Sequence, residues 1–361
     1  MWKIIYSYIF VFGFLASYLI VRILKNLALQ IGLVDQPDQK RKTHKKPIPL
    51  LGGVGMYLAF TFTIVIHLAA IYKFKALLFL PQIILTQLMG IASIMPQLIA
   101  ILGTTFLLVV LGTIDDIRPI KAKTKLIFQF IMAVIVFLSG IRITFFTNNI
   151  ILSAILTVLW IIAITNAFNL MDNMDGLSCG TAFISAFIFF LVSSITGQFF
   201  VSSILACFGG VLLGFLIFNF HPARIFMGDA GSMFIGYTLA LLTIINTYYR
   251  PETALTLTPV IMPLIILAIP IFDMVSVIFI RLKSGVSIFT ADNNHISHRM
   301  TALGMSHKQA VLFIYLVNFC IGLSALLLGS LTKWGCFLVL LQALCILSII
   351  IFLERVKKCR N

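Results

Sequence analysis

Asn166-Ala-Phe-Asn169-Leu-Met-Asp172-Asn173-Met-Asp175-Gly176 is the stretch that decides how this chain folds. Apolar sequence of membrane grade runs before it, from Ile150 to Ile164, and after it, from Leu177 to Ile195. A charge in the middle of a bilayer costs roughly 3 kcal/mol or more. The polar run therefore sits where a span meets water, or in a cavity lined by protein. Asn166, Asn169, Asp172 and Asp175 recur at every third residue. At about 100° per residue, that spacing keeps two amides and two carboxylates on one slowly drifting helix face. Such a face suits a metal ion and phosphates. The plainer alternative is an ordinary polar connector between two spans.

Outward from this stretch the chain is apolar throughout. Of its 361 residues, 61% are hydrophobic and 10% charged, where soluble domains carry about 25% charged; mean hydropathy is +1.11. The repeated runs of about 20 apolar residues predict helices rather than barrel strands. The expected architecture is an all-α polytopic membrane protein, one domain over 1–361. About eleven transmembrane helices fit, near 4–24, 51–72, 97–114, 125–141, 150–168, 177–196, 199–219, 231–248, 255–280, 309–329 and 333–353. The first run follows a lone Lys3, lacks a small-residue cleavage site and reads as a retained span. The six cysteines form no C-x-x-C pair, which points away from a disulfide framework or a zinc site. The net charge of +15 fits basic loops facing anionic lipid or an anionic substrate, and nucleic acid is not expected.

Segment 76–96 is apolar but carries Pro81, Gly90 and Pro96. The placement of lysine and arginine arbitrates. If the segment does not cross, 20 of the 26 basic side chains gather on one side; if it crosses, the division is 16 to 10. It is therefore expected to be interfacial or re-entrant, with the amino terminus outside and the carboxyl terminus cytoplasmic.

The chain has eleven acidic residues; Asp35 and Asp38 lie in the basic loop, Glu252 in an outer loop and Glu354 at the carboxyl end, and of the other seven this topology puts six at one membrane face: Asp115, Asp116, Asp172, Asp175, Asp229 and Asp292. Asp273 lies deeper, in the ninth span, the one acid that resembles a transport carboxylate. Acids gathered on one face look like one site. Asp115-Asp116 ends the third span, and adjacent carboxylates need a cation or nearby lysines. Phe226-Met-Gly228-Asp229-Ala-Gly231-Ser232 surrounds an Asp with glycines at a helix start, a place that suits phosphate and Mg²⁺. His295-Ile-Ser-His298-Arg299 lies in a cytoplasmic loop, where Arg favours bidentate phosphate contacts. Each block has a bland reading: a solvated pair balanced by Arg118, a glycine turn with Asp229 or Ser232 as cap, polar loop histidines. His44, His67, His221 and His307 read as structural.

Taken together, in order, these blocks resemble the polyprenyl-phosphate N-acetylhexosamine-1-phosphate transferases, glycosyltransferase family 4, relatives of the phospho-N-acetylmuramoyl-pentapeptide transferase. The matching residues are Gly52-Gly53-Val-Gly55; Asp115-Asp116 with Lys125 and Gln129; Asn166, Asn169, Asp172, Asp175 and Gly176; Phe226 through Ser232; and His295-x-x-His298-Arg299. The last form is similar to the N-acetylglucosamine-1-phosphate branch, although Ser297 stands where relatives often carry another histidine. The resemblance implies transfer of a HexNAc-1-phosphate, most simply GlcNAc-1-phosphate, from a UDP-sugar to undecaprenyl phosphate, with release of UMP. It implies Mg²⁺ or Mn²⁺ held by Asn169 and Asp229. Asp115, Asp116, Lys125 and Asp172 form the catalytic group, the first two orienting the lipid phosphate. Asn166 lines the substrate side, Asp175 and Phe226 border the uracil, and His295, His298 and Arg299 grip the diphosphate or sugar. It places the protein in the bacterial plasma membrane with its site facing the cytoplasm, and leaves the oligomeric state, a homodimer included, open. The rival class is a secondary transporter, against which the acids lie at one face rather than the midplane.

Overall fold

The structure is a computed structural model that describes residues 1–36, 47–74, 91–144, 149–248, 255–290 and 292–358, without the side chains of 74, 91–93 and 354–358. The basic loop at 40–46 and most of the segment expected to be interfacial, 75–90, lie outside the described residues. The chain is mostly helical. A bilayer offers no partner to a bare N–H or C=O, so apolar runs must satisfy their backbone internally.

The helices are α1 (Trp2–Gln30), α2 (Gly52–Phe74), α3 (Ile91–Ile117), α4 (Ala122–Leu138), α5 (Ile150–Met171), α6 (Leu177–Ile195), α7 (Phe199–Asn219), α8 (Gly228–Ile245), α9 (Met262–Ile266), α10 (Ala268–Lys283), α11 (Ile296–Ala302), α12 (His307–Ala325) and α13 (Lys333–Lys358). A short antiparallel pair, Val34–Asp35 with Ile48–Pro49, closes the base of the loop between α1 and α2. Among the described residues nine helices are long and apolar enough to cross a membrane. Of the expected spans, α4, at 17 residues, is shorter than these. Residues 91–96, expected as the end of the interfacial segment, instead form the first turns of α3, with Pro96 inside the helix.

The ninth expected span is not one helix. Residues 258–266 and 268–283 meet at a bend of 66°. Pro259, Pro263 and Pro270 explain the break, since each lacks a backbone N–H and can sit only near a helix start.

α7 and α8 are the centre of the bundle: 72% and 78% of their apolar windows are buried, against 22% for α13. α8 packs on α5, α3 and α2. Its neighbours approach as backbone on backbone. A Cβ on Gly53 would lie 2.1 Å from the Gly231 nitrogen, and one on Gly112 would lie 2.4 Å from the Ala230 Cα. The Gly52-Gly53 start of α2 is also hydrogen-bonded to the turn before α8: Gly52 N–H donates to Phe226 O (3.1 Å), Gly53 N–H to Met227 O (3.0 Å) and Phe226 N–H to Pro49 O (2.8 Å). These contacts bring the end of α3 and the starts of α2 and α8 to one place.

Candidate active site

That place is built around the start of α8. Gly228 has φ +64°, a left-handed conformation that glycine adopts without strain. The turn points the N–H groups of Asp229 and Ala230 at the carboxylate of Asp116, 2.7 and 3.4 Å away. Asp116 thus caps α8 from the end of α3. Its neighbour Asp115 accepts from Ile120 N (2.5 Å) and from Lys125 Nζ (2.7 Å). The same ammonium donates to Asp229 Oδ2, also at 2.7 Å. Lys125 is therefore a bridge between the acids of α3 and α8.

The Asn166–Gly176 stretch closes the other side. It forms the end of α5 and the turn into α6: the expected helix face holds for Asn166 and Asn169, but the helix ends at Met171 and leaves Asp172 and Asp175 in the turn. Asn169 Nδ2 donates to Asp229 Oδ1 (3.2 Å) and Ser232 Oγ (2.8 Å). Asn166 Nδ2 donates to the buried Gln129 (2.6 Å), fixing α4 against α5. Asp172 ends α5, and among the described residues its carboxylate has no hydrogen-bond or ion-pair partner. Burial first, then the charges of Asp229, Asp116 and Asp175, hold its carboxyl well above the usual carboxylate range. Among the described residues Lys125 thus pairs with Asp115 and Asp229 and leaves Asp116 and Asp172 without a cation, a place that calls for more positive charge.

Asp175 has its own partners beside that cluster. It pairs with His221 (2.8 Å) and accepts from Ala223 N (3.1 Å). Asn219 holds the same region, accepting from Gly176 N (3.1 Å) and donating to Ile225 O (3.0 Å). His221, read from sequence as structural, is instead a direct partner of a candidate site residue.

The histidine loop reaches the site through Ser297, whose hydroxyl donates to Asn173 Oδ1 (2.5 Å). The loop is anchored by Arg281, which forks onto both oxygens of Asp292 (2.9 and 3.2 Å). Burial acts to raise the Asp292 carboxyl, but the bonds from Arg281 and Asn294 outweigh it and hold it at about 2. Burial, then repulsion from His295 and His307, lowers His298 from the ordinary histidine value, so it stays neutral near pH 7. His295 and Arg299 both turn toward α10, where Asp273 lies.

A family model described as glycosyl transferase family 4 matches residues 98–247, which hold the acid pair, the Asn166–Gly176 stretch and the Asp229 turn. A Bacillus subtilis (strain 168) protein named "probable undecaprenyl-phosphate N-acetylglucosaminyl 1-phosphate transferase" is 33% identical over 96% of this chain and 89% of its own length. The chain belongs to this family of polyprenyl-phosphate sugar-1-phosphate transferases. A decaprenyl-phosphate N-acetylglucosaminephosphotransferase of Mycobacterium tuberculosis (strain H37Rv) is 31% identical over 80% of this chain and 74% of its own. An undecaprenyl-phosphate alpha-N-acetylglucosaminyl 1-phosphate transferase of Escherichia coli (strain K12) is 28% identical over 84% and 78%. This membership makes the chain a membrane-embedded transferase, and the structure brings Asp115, Asp116, Lys125, Asn169, Asp172 and Asp229 of the transferase together. Asp175 and the His295–Arg299 loop stand as two flanks.

Proposed function

We propose that the transferase moves N-acetylglucosamine 1-phosphate from UDP-N-acetylglucosamine to undecaprenyl phosphate and releases UMP. An oxygen of the lipid phosphate attacks the β-phosphorus of the donor. A P–O bond to the lipid phosphate forms, the bond from the β-phosphorus to the oxygen bridging the α-phosphate breaks, and that oxygen leaves on UMP. A phosphate monoester is largely ionised near neutral pH, so the acceptor needs no base. Catalysis rests on positioning and charge.

The observation that carries this reading is the Lys125 bridge between Asp115 and Asp229 at the foot of the Asn169–Asp172 helix end. Two anionic substrates enter such an acid cluster only with added positive charge. Mg²⁺ or Mn²⁺ fits the residues present, which offer carboxylate and amide oxygens. Among the described residues no three acidic, His or Cys side chains converge as a metal cage. Mg²⁺ usually takes one or two protein carboxylates and completes its shell with water and substrate phosphate. Asp229 and Asn169 would hold the ion beside Asp172, and when bound it would neutralise phosphate charge. Asp116 fixes the Asp229 turn, and Asp115 sets Lys125 beside the incoming lipid phosphate. Asp175 and Phe226 border the uracil. Arg299 and His295 take the diphosphate or sugar, with His298 as a neutral hydrogen-bonding group.

The distribution of basic residues supports a site at the cytoplasmic face, eleven crossings and an outside amino terminus. The relatives' names favour N-acetylglucosamine as the sugar. Purified protein given undecaprenyl phosphate and a panel of UDP-sugars tests the function through UMP release. Release should be fastest with UDP-N-acetylglucosamine and absent without the lipid. Equal release without the lipid would defeat the reading.

A further inference from the structure

Asp273 is the acid that the topology leaves without a place in the site. It is fully buried in α10. A carboxylate in a membrane-crossing helix is expensive and generally has a specific use. Here both of its oxygens are spent on one segment. Oδ2 lies 2.9 Å from His295 Nδ1, Oδ1 accepts from Ile296 N at 2.6 Å, and Arg299 Nη2 lies 3.9 Å from Oδ1. One turn along the same face of α10, Ser276 Oγ accepts from Arg299 Nη2 at 2.8 Å. Asp273 and Ser276 thus form a polar pair whose partners are His295, at the start of α11, and Arg299, within it. His295 has no side-chain cap of its own to offer the start of α11, and Asp273 supplies the acceptor at Ile296 instead.

We infer that Asp273 is a positioning residue for the sugar-nucleotide half of the reaction, acting through His295 and Arg299. The carboxylate accepts the hydrogen bond from Nδ1–H, which fixes the tautomer and leaves Nε2 to meet substrate as an acceptor. It also holds the first turn of α11, and so sets where Arg299 begins. The inference rests on the reading of this loop as the donor grip.

Asp273→Asn is the informative change because it keeps the volume and alters the pattern. A carboxylate accepts on both oxygens, whereas an amide offers one acceptor and one donor group. If the amide oxygen stays on Ile296 N–H, its NH₂ meets His295 Nδ1 and drives the ring proton to Nε2. Nε2 then meets the substrate as a donor where the wild-type ring offers an acceptor.

The test varies UDP-N-acetylglucosamine and undecaprenyl phosphate separately with the purified enzyme. For Asp273→Asn the expected loss in kcat/KM for the UDP-sugar is about 10- to 100-fold, as for a lost charged hydrogen bond. The KM for undecaprenyl phosphate should stay within about twofold, since the acceptor side is unchanged. Asp273→Glu should recover part of the loss. In the background of His295→Ala, Asp273→Asn should add less than about twofold, because its amide oxygen still holds Ile296 N–H, which places Arg299, and the ring is already removed. Losses that multiply in the double variant, or a KM rise shared by both substrates, would overturn the inference. If His295→Ala is impaired and Asp273→Asn behaves as wild type, the inference alone falls. If His295→Ala and Arg299→Ala both use donor normally, the donor-grip reading falls and takes the inference with it. Should Asp273→Asn not be recovered folded by circular dichroism and gel filtration, Asp273→Glu is judged by the same donor-specific KM and the same coupling to His295→Ala.

Discussion

Gly228→Ala puts the heart of the site under one defined strain. The residue has φ +64°, where a side chain costs about 1–2 kcal/mol. The added Cβ would also lie 2.3 Å from Asp116 Oδ2 and 2.7 Å from its Cγ and Oδ1. No real Cβ tolerates those distances, so the carboxylate must leave. It then gives up its bonds to Asp229 N and Ala230 N, and one charged hydrogen bond is worth about 1.5–3 kcal/mol. The total loss should be about 3–4 kcal/mol in stability. Activity should fall beyond that, because the Asp229 turn moves relative to Lys125 and Asn169. Thermal unfolding in detergent and UMP release from the same preparation measure both. The strain also predicts coupling: Asp116→Ala removes the clash but not the dihedral cost, so the double variant should be less impaired than the sum of the singles. A Gly228→Ala protein within about 0.5 kcal/mol of wild type and near full activity would refute the reasoning, since neither strain nor clash would then be real.

Asp229→Asn should leave a folded protein with UMP release below about 1% of wild type, given the cost of removing one charged site contact in a dry site. Excess chelator should likewise abolish release, and added Mg²⁺ should restore it; full activity in either case would remove the metal assignment. The Asp292 carboxyl is held below its unfolded value, so its contribution to stability is complete above about pH 4 and fades as pH falls toward 2. Between pH 5 and pH 3 thermal stability should drop more in wild type than in Asp292→Asn. Single cysteines near Arg142 should react with an impermeant reagent from outside, and those near Lys123 or His295 should not. Labelling near His295 from outside would invert the topology.

Much of this arrangement is legible in the sequence, for physical reasons. Apolar runs predict the long helices because a bilayer leaves the backbone no other choice. The three-residue spacing of Asn166, Asn169, Asp172 and Asp175 predicts a single helix face, which holds only for the two asparagines because α5 ends at Met171; the turn at Gly228 follows from its glycines. What escapes is tertiary. Asp116 caps a helix that starts over a hundred residues later, and no local pattern announces that. Asp273 reads as an isolated intramembrane acid until α11 is seen to dock against it. The loop helix is only seven residues long, too short for periodicity to reveal. Pro259, Pro263 and Pro270 do signal the break in the ninth span, but the direction of the bend depends on packing. His221 lacks any motif and gains its importance only by lying against Asp175.

The central claim is transfer of a sugar phosphate rather than of a sugar, and the fate of the donor's β-phosphorus tests it most directly. UDP-N-acetylglucosamine labelled at that atom is incubated with the purified protein, Mg²⁺ and undecaprenyl phosphate, and lipid and aqueous products are separated. The account predicts the label in the lipid fraction, one equivalent per acceptor, with unlabelled UMP in the water. Label recovered in aqueous UDP, with an unlabelled glycolipid, would mean that the sugar–oxygen bond breaks instead, and would contradict the account.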